Sequence, residues 1–323
     1  MASPDSADPG LQPLDPKLFR DDDDDEDIFW KQKLNALING TVTPSEAATD
    51  YDSCVVEDAN RRHAELLKRP DPRNLTAEEE ERRVPSMRAI APNPSGDIQL
   101  LFPWIATLCS AFPPHHEKQT RIIRFLEALR DLPRRDVLDG VPPEDPNEPY
   151  YTITLWPLGG GWRGLPEVFL LESYEFSYPY SHIETPGSET QLRWRNFQSA
   201  IARLTSSGLI DCGFLSALED ILPSSEYYRD LEKRKVGGPN RVGGDVIAAA
   251  QWILWPEQGR YVYRECRTRD DIDGPRQMWS MKGWRQWKEQ FGFVAGDERF
   301  GQQARAVARL ARHQMLAYEA ELV

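Results

Sequence analysis

The sequence predicts an all-α fold, a bundle-like arrangement of many helices in a single domain that follows a disordered acidic tail. Apolar residues recur at steps of three and four through most of the chain, which places them along one face of a helix. Capping residues precede several of these segments. No repeat of fixed length relates the segments, which argues against a helical solenoid. We expect the tail over residues 1–26 and one helical domain over residues 27–323.

Four helices are expected before residue 133. The first spans residues 27–38 and carries one apolar stripe. A capping box at Thr43 and Glu46 opens a long second helix, and the same signature at residues 76–79 opens a short acidic one. The fourth spans residues 117–132 and stops before a proline, which cannot continue a helix.

Residues 133–188 differ from the rest, because they hold nine of the 26 prolines together with many aromatic residues. We interpret them as an irregular Pro- and aromatic-rich segment that packs on the body and holds one short strand near residues 152–155. The run Gly159–Gly164 matches the glycine fingerprint of dinucleotide sites. Pro166 stands where that fingerprint needs a helix, so we interpret the run as a turn and expect no cofactor.

The helical pattern is stronger after residue 188. In the last predicted helix the apolar residues alternate steps of four and three almost to the end of the chain. Five helices are expected here, with patterned residues that start at Ser188, Phe214, Asp245, Met281 and Ala304.

The acidic charge is concentrated at the N-terminus. The net charge is −13, and residues 1–27 carry ten acids against two bases, which is −8, so the other 296 residues carry −5. Such a segment repels itself, and we interpret it as a solubilising tail, with an acidic arm for a basic partner as the alternative. No basic stripe interleaved with aromatics is present, and we expect no nucleic-acid binding.

The sequence also lacks the signals of membranes, secretion and metals. No apolar stretch is long enough to span a membrane, and the start has acids and prolines where a signal peptide needs bases and an apolar block. We therefore expect a cytoplasmic protein, with the nucleus as the alternative. The four cysteines are 55, 103 and 54 residues apart, which favours reduced thiols and no metal site.

Tryptophan is the unusual feature of the composition. Five of the ten tryptophans lie within residues 252–287, next to a glutamine that could supply a polar contact. These residues could line an apolar ligand pocket, or they could form an aromatic core. The candidate ligand-binding residues are Gln251, Trp252, Trp255, Trp279, Trp284 and Trp287.

The C-terminal half resembles a known family. The residues that carry the resemblance are Trp194–Phe197, Ala248–Ile253, Trp284 with Trp287, and the alanine-spaced helix that reaches Met315. They are similar to a family of filamentous fungi called domain of unknown function 3632, over roughly residues 30–320. The resemblance implies a helical fold and a fungal, intracellular setting. It implies no catalytic residues, since the shared positions are packing positions.

Three functions remain open on these grounds. The first is a helical binding or scaffold protein, whose partner is another protein or an apolar small molecule. The second is a cofactor-independent cyclase or isomerase of fungal secondary metabolism that orients its substrate in the tryptophan pocket. The third is a regulator that acts through oligomerisation. The sequence decides neither whether the chain is an enzyme nor its oligomeric state. An enclosed cavity among the tryptophans favours the enzyme, and solidly packed rings favour the scaffold.

Overall fold

The computed structural model describes residues 12–145, 147–156, 158, 165–177, 183–224, 230–269 and 278–321. Over these residues the fold is all-α, with helices α1–α11 and two short strands, so the predicted fold class is confirmed. The chain divides into two compact units, where the sequence predicts one domain over residues 27–323. We call them the core unit (residues 1–18, 106–123 and 166–323) and the hairpin unit (residues 19–105 and 124–165). That single-domain boundary stays a prediction.

The hairpin unit is named for its first two helices, which run antiparallel and are joined by a tight turn. Lys33 of the first pairs with Asp50 of the second at 2.6 Å. The unit also contains a two-stranded antiparallel sheet in which Val137 lies opposite Ile153. Its elements are α1 (Asp25–Asn39), α2 (Pro44–Leu66), α3 (Ala77–Glu81), residues 94–105 of α4 (Pro94–Ala111), residues 124–131 of α5 (Glu117–Asp131), β1 (Asp136–Leu138) and β2 (Thr152–Thr154).

Local capping explains where the first two helices begin and end. The carboxylate of Asp24 accepts the backbone N–H of Asp27 at the start of α1. Gly40 ends α1 with φ 74°, a left-handed conformation that glycine adopts without strain. The predicted capping box of α2 is confirmed, because the side chain of Thr43 accepts the N–H of Glu46 and the Glu46 side chain accepts the N–H of Thr43.

The core unit contains the remaining helices, with the buried helix α7 (Glu189–Ser206) as its central helix. Residues 193–202 of α7 are buried without a break, which is possible because α8 and α9 both pack against it. The later elements are α6 (Leu165–Ser177), α7 (Glu189–Ser206), a helical turn (Asp230–Lys233), α8 (Gly237–Ala249), a 3₁₀ turn (Ala250–Trp252), α9 (Pro256–Thr268), α10 (Met281–Gly296) and α11 (Gln302–Glu321).

The structure differs from the prediction of an irregular segment over residues 133–188, because α6 lies inside it. Pro166 is the second residue of α6, in the first turn, where the missing N–H of proline costs no hydrogen bond. The expected short strand is present as β2. The glycine run 159–164 lies outside the described residues.

Two predicted helix starts were wrong. The stretch that begins at Phe214 forms only a 3₁₀ turn, Gly213–Leu215, after which Ser216 is extended. The side chain of Gln198 forms hydrogen bonds with both the Leu215 carbonyl and the Ala217 N–H. These backbone groups therefore have partners without the hydrogen bonds of a helix. Asp245 does not open a helix, because α8 already begins at Gly237.

Part of the acidic N-terminal segment makes specific contacts. The disordered tail is predicted over residues 1–26, and residues 1–11 lie outside the described residues. In the remainder Leu18 is buried, and the Asp23 carboxylate forms a buried ion pair with Lys31 of α1. The chain is therefore anchored several residues before the first helix begins.

Replacement of Gly259 by alanine tests the packing of α9 against α11. A Cβ atom at this position would lie 2.3 Å from the Tyr318 ring and 2.6 Å from the Ile253 carbonyl oxygen. Although alanine favours a helix, we expect Gly259→Ala to lower the free energy of unfolding by about 1–3 kcal/mol in urea titrations. The control is Gly296→Ala, where no atom lies within 4 Å of the added Cβ. Equal stabilities of the two variants would contradict this packing.

Candidate functional site

The structure brings three of the predicted tryptophans into one cluster in the core unit. Trp252 ends the 3₁₀ turn after α8, Trp279 precedes α10, and Trp287 lies on the buried face of α10. The ring centroids of Trp252 and Trp279 are 5.8 Å apart, and those of Trp279 and Trp287 are 6.2 Å apart. Trp284 packs against the Tyr263 ring at 4.8 Å. The predicted residues therefore do lie among neighbouring aromatic rings.

Three of the predicted tryptophans have their indole N–H groups already bonded within the protein. Trp252 donates to Gln198 at 2.7 Å, Trp284 to Glu319 at 2.8 Å, and Trp287 to Glu219 at 3.2 Å. All three rings are completely buried. A buried indole needs an acceptor for its N–H, and here each acceptor belongs to a neighbouring element. The arrangement agrees with the aromatic-core interpretation of these residues.

Trp255 and Gln251 form a separate, more accessible pair. Trp255 is half-buried at the start of α9, and its indole donates to the Gln251 side chain at 3.3 Å. Gln251 in turn donates to the Ile247 carbonyl at 3.1 Å. The Trp255 ring lies 3.8 Å from the ring of His115, which burial and the Arg203 charge hold at a lowered pKa. Ligand binding by the six candidate residues stays a prediction.

Sequence analysis missed Gln198, which binds one of these rings. Its Oε1 accepts from the Trp252 indole and from the Ala217 N–H, and its Nε2 donates to the Leu215 carbonyl at 2.8 Å. The available signal was its position, four residues after Trp194 and three before Ile201, within the apolar stripe of α7. A glutamine on a buried stripe needs polar partners.

A second group of polar residues lies on α8. The Arg241 guanidinium pairs with Asp245 at 2.9 Å, and both side chains are buried. The other oxygen of Asp245, Oδ1, is buried with no hydrogen-bond partner among the described residues. Burial raises the pKa of Asp245 and that of nearby Asp220, although Arg241 opposes the rise. Such carboxyls can hold a proton near neutral pH, but Asp245 is completely buried, so a substrate does not reach it in this structure.

An open groove lies in the hairpin unit, between α1 and α2. Its volume is about 410 Å³. Phe29 is 46% exposed there, whereas Trp30 beside it is buried. The residues that line the groove are Glu26, Phe29, Trp30, Cys54, Glu57, Asp58, Arg61 and Arg62.

Asp97 is a buried carboxyl near this groove. Burial raises its pKa to about 7, and the Arg62 charge opposes the rise. The charges of Asp58, Glu26 and Asp139 add to it. Asp97 therefore changes its charge near neutral pH, close to residues that line the groove.

The described residues carry neither a metal cluster nor a membrane helix. No group of three histidine, cysteine or acidic side chains among them could hold a metal ion. No helix among them is long and apolar enough to cross a bilayer.

The fold and its sites define a class of protein: an all-α protein with a tightly bonded tryptophan core and a groove on its helical surface. The chain belongs to the family described as "Protein of unknown function (DUF3632)", whose model matches residues 104–291. The match begins in α4 and ends in α10, so it includes the central helix and the tryptophan cluster. It confirms the family predicted from the sequence. Comparisons with curated proteins and with solved structures gave no match.

Replacement of Asp97 by asparagine tests its raised pKa. The folded state holds the Asp97 proton up to about pH 7, whereas the unfolded chain releases it near pH 4. The folded state binds more protons between these values, so this carboxyl lowers the stability of the wild type as pH rises from about 4 to 7. We expect Asp97→Asn to match the wild type at pH 4 and to exceed it by up to about 4 kcal/mol at pH 8 in urea unfolding.

The control for this comparison is Asp131→Asn. Asp131 is exposed, and its hydrogen bond with Arg130 lowers its pKa, so the variant removes no buried charge. A gain at pH 8 in both variants, or in neither, would contradict the assignment to Asp97.

Proposed function

We propose that this chain is a non-catalytic binding or scaffold protein that presents its helical surface to partners. The tryptophan cluster is then a structural core that holds this surface in place. The setting that fits the family resemblance is a fungal cytoplasm, with the nucleus as the alternative. A protein partner fits the proposal better than an apolar small molecule, because the groove between α1 and α2 is open and rimmed by charges.

One observation supports this proposal most directly: the tryptophans that a catalytic pocket would need are packed and bonded. A substrate placed among Trp252, Trp284 and Trp287 would have to separate completely buried rings. It would also compete with indole hydrogen bonds to Gln198, Glu319 and Glu219. A buried donor or acceptor that loses its hydrogen-bond partner costs about 1–3 kcal/mol. The cyclase or isomerase of secondary metabolism draws no comparable support from the described residues.

Conservative replacement of single tryptophans tests whether the rings are core or pocket. We expect Trp252→Phe and Trp284→Phe to lower the free energy of unfolding by roughly 1–3 kcal/mol, because each removes buried ring area and an indole hydrogen bond. The control is Trp255→Phe, whose ring is half-buried, and we expect a loss within about 0.5 kcal/mol. Urea unfolding measures all three.

The same proteins are titrated with an extract of apolar fungal metabolites while tryptophan emission is recorded. The proposal expects no saturable change in emission. A saturable change that disappears in folded Trp252→Phe but persists in Trp255→Phe would contradict it, and would support the enzyme instead.

A further inference from the structure

The groove of the hairpin unit lies in a strongly acidic surface. Just before α1 and in its first turn, four carboxylates are exposed and form no ion pair among the described residues: Asp21, Asp22, Asp24 and Asp25. Asp24 caps the helix, but the other three are not needed for capping. Glu57 lines the groove, is exposed and also lacks an ion pair in the described part of the chain. Among the lining residues, three acids (Glu26, Glu57 and Asp58) stand against Arg61 and Arg62, so the groove has one unbalanced negative charge and lies next to the acidic start of α1.

The groove has the spacing that receives a third helix. Its lining residues on α1 are 26, 29 and 30, and those on α2 are 54, 57, 58, 61 and 62. Steps of three and four place each set along one helix face. Between these faces stands Phe29, whose ring centroid is 5.1 Å from that of buried Trp30. Helices recognise such grooves by inserting apolar side chains at the same spacing.

The exposed side of α11, in the core unit, has the complementary chemistry. Leu310 is 60% exposed. It belongs to a second set of residues that recurs along the helix in steps of four and three, outside the buried stripe. One edge of this stripe is basic, and Arg309 and Arg312 there form no ion pair among the described residues. The members of the outer stripe are Ala306, Leu310, His313, Ala317 and Ala320.

We propose that the outer stripe of α11 in one molecule binds the α1–α2 groove of a second copy of this chain. Leu310 packs against Phe29, and the arginine edge faces Glu57 and the acidic start of α1. Charge complementarity favours this occupant, because the outer stripe of α11 has a basic edge on a chain whose net charge is −13. The proposal uses surfaces outside the tryptophan cluster, so it goes beyond the proposed function and can fail separately from it.

The interface is heterologous, because the two contacting surfaces are different. Each bound pair leaves one groove and one α11 stripe unoccupied, so association continues beyond the dimer unless a ring closes. We expect the mean mass in sedimentation velocity to rise with concentration. We also expect association to weaken at high salt, where exposed charge pairs are screened.

Two neutral substitutions at exposed positions test the proposal in the full chain. Phe29→Ser disables the groove and Leu310→Ser disables the stripe, and we expect each to raise the dissociation constant at least tenfold, about 1.4 kcal/mol. A mixture of the two variants retains one intact groove and one intact stripe. It should form a dimer that does not grow further. The control is Leu171→Ser on α6, an exposed leucine outside both surfaces, which should associate like the wild type.

Three results would overturn the proposal. A wild type that stays monomeric at every concentration excludes self-association. Association that Phe29→Ser and Leu310→Ser leave unchanged places the contact elsewhere. A monomeric chain that binds a synthetic amphipathic leucine–lysine peptide, and loses that binding in Phe29→Ser, assigns the groove to another protein. Circular dichroism confirms in each case that the variants are folded, and the tryptophan tests of the proposed function do not depend on these outcomes.

Discussion

Helix α7 is buried on nearly every side, and the polar side chains that it carries must find their partners inside the protein. An unpartnered buried amide costs about 1–3 kcal/mol, so each such side chain restricts what can lie beside it. Gln198 is the clearest case, because it binds the Trp252 indole, the Leu215 carbonyl and the Ala217 N–H. One side chain thus fixes the 3₁₀ turn after α8 and the extended segment after residue 215.

The same requirement ties the end of α4 and the start of α5 to α7 within the core unit. Asn196 donates to the Ser110 carbonyl at 3.0 Å, and Gln119 donates to the Asn196 carbonyl at 3.2 Å and to the Phe112 carbonyl at 3.1 Å. Arg203 then donates to the Gln119 side chain. These hydrogen bonds form a network in which each side chain is a partner of the next. Removal of one side chain therefore leaves several buried polar groups without a partner. Trp252 is bonded to α7 through Gln198, so this network also sets the position of one ring of the tryptophan cluster.

The parts of the fold that local sequence determines were predictable, and those that tertiary contacts determine were not. The capping box of α2 and the stripe of α11 follow from residues within one or two turns of each other. The turn at Phe214 was wrongly predicted as a helix, because the backbone groups of Leu215 and Ala217 are satisfied by Gln198, which lies 17 and 19 residues away. The tryptophans could be identified as a group from the sequence. Whether they form a pocket or a core depends on the acceptors of their indole N–H groups, such as Glu319, and sequence spacing does not reveal these acceptors. The groove gave no signal, since periodicity reports which helix face is buried and Phe29 lies outside that face.

The charge distribution restricts how copies of this chain can meet. A net charge of −13 repels copies at long range, so non-specific association is disfavoured. At physiological ionic strength this repulsion is screened beyond roughly 8 Å, while pairs in contact are screened less. Contact between copies therefore needs a place where the local charge has the opposite sign. The arginine edge of α11 is such a place, and it borders an apolar stripe that an acidic groove of matching helical spacing can bury. The excess of acids around α1 then serves two purposes: it keeps unrelated surfaces apart and favours contact with the basic edge of α11.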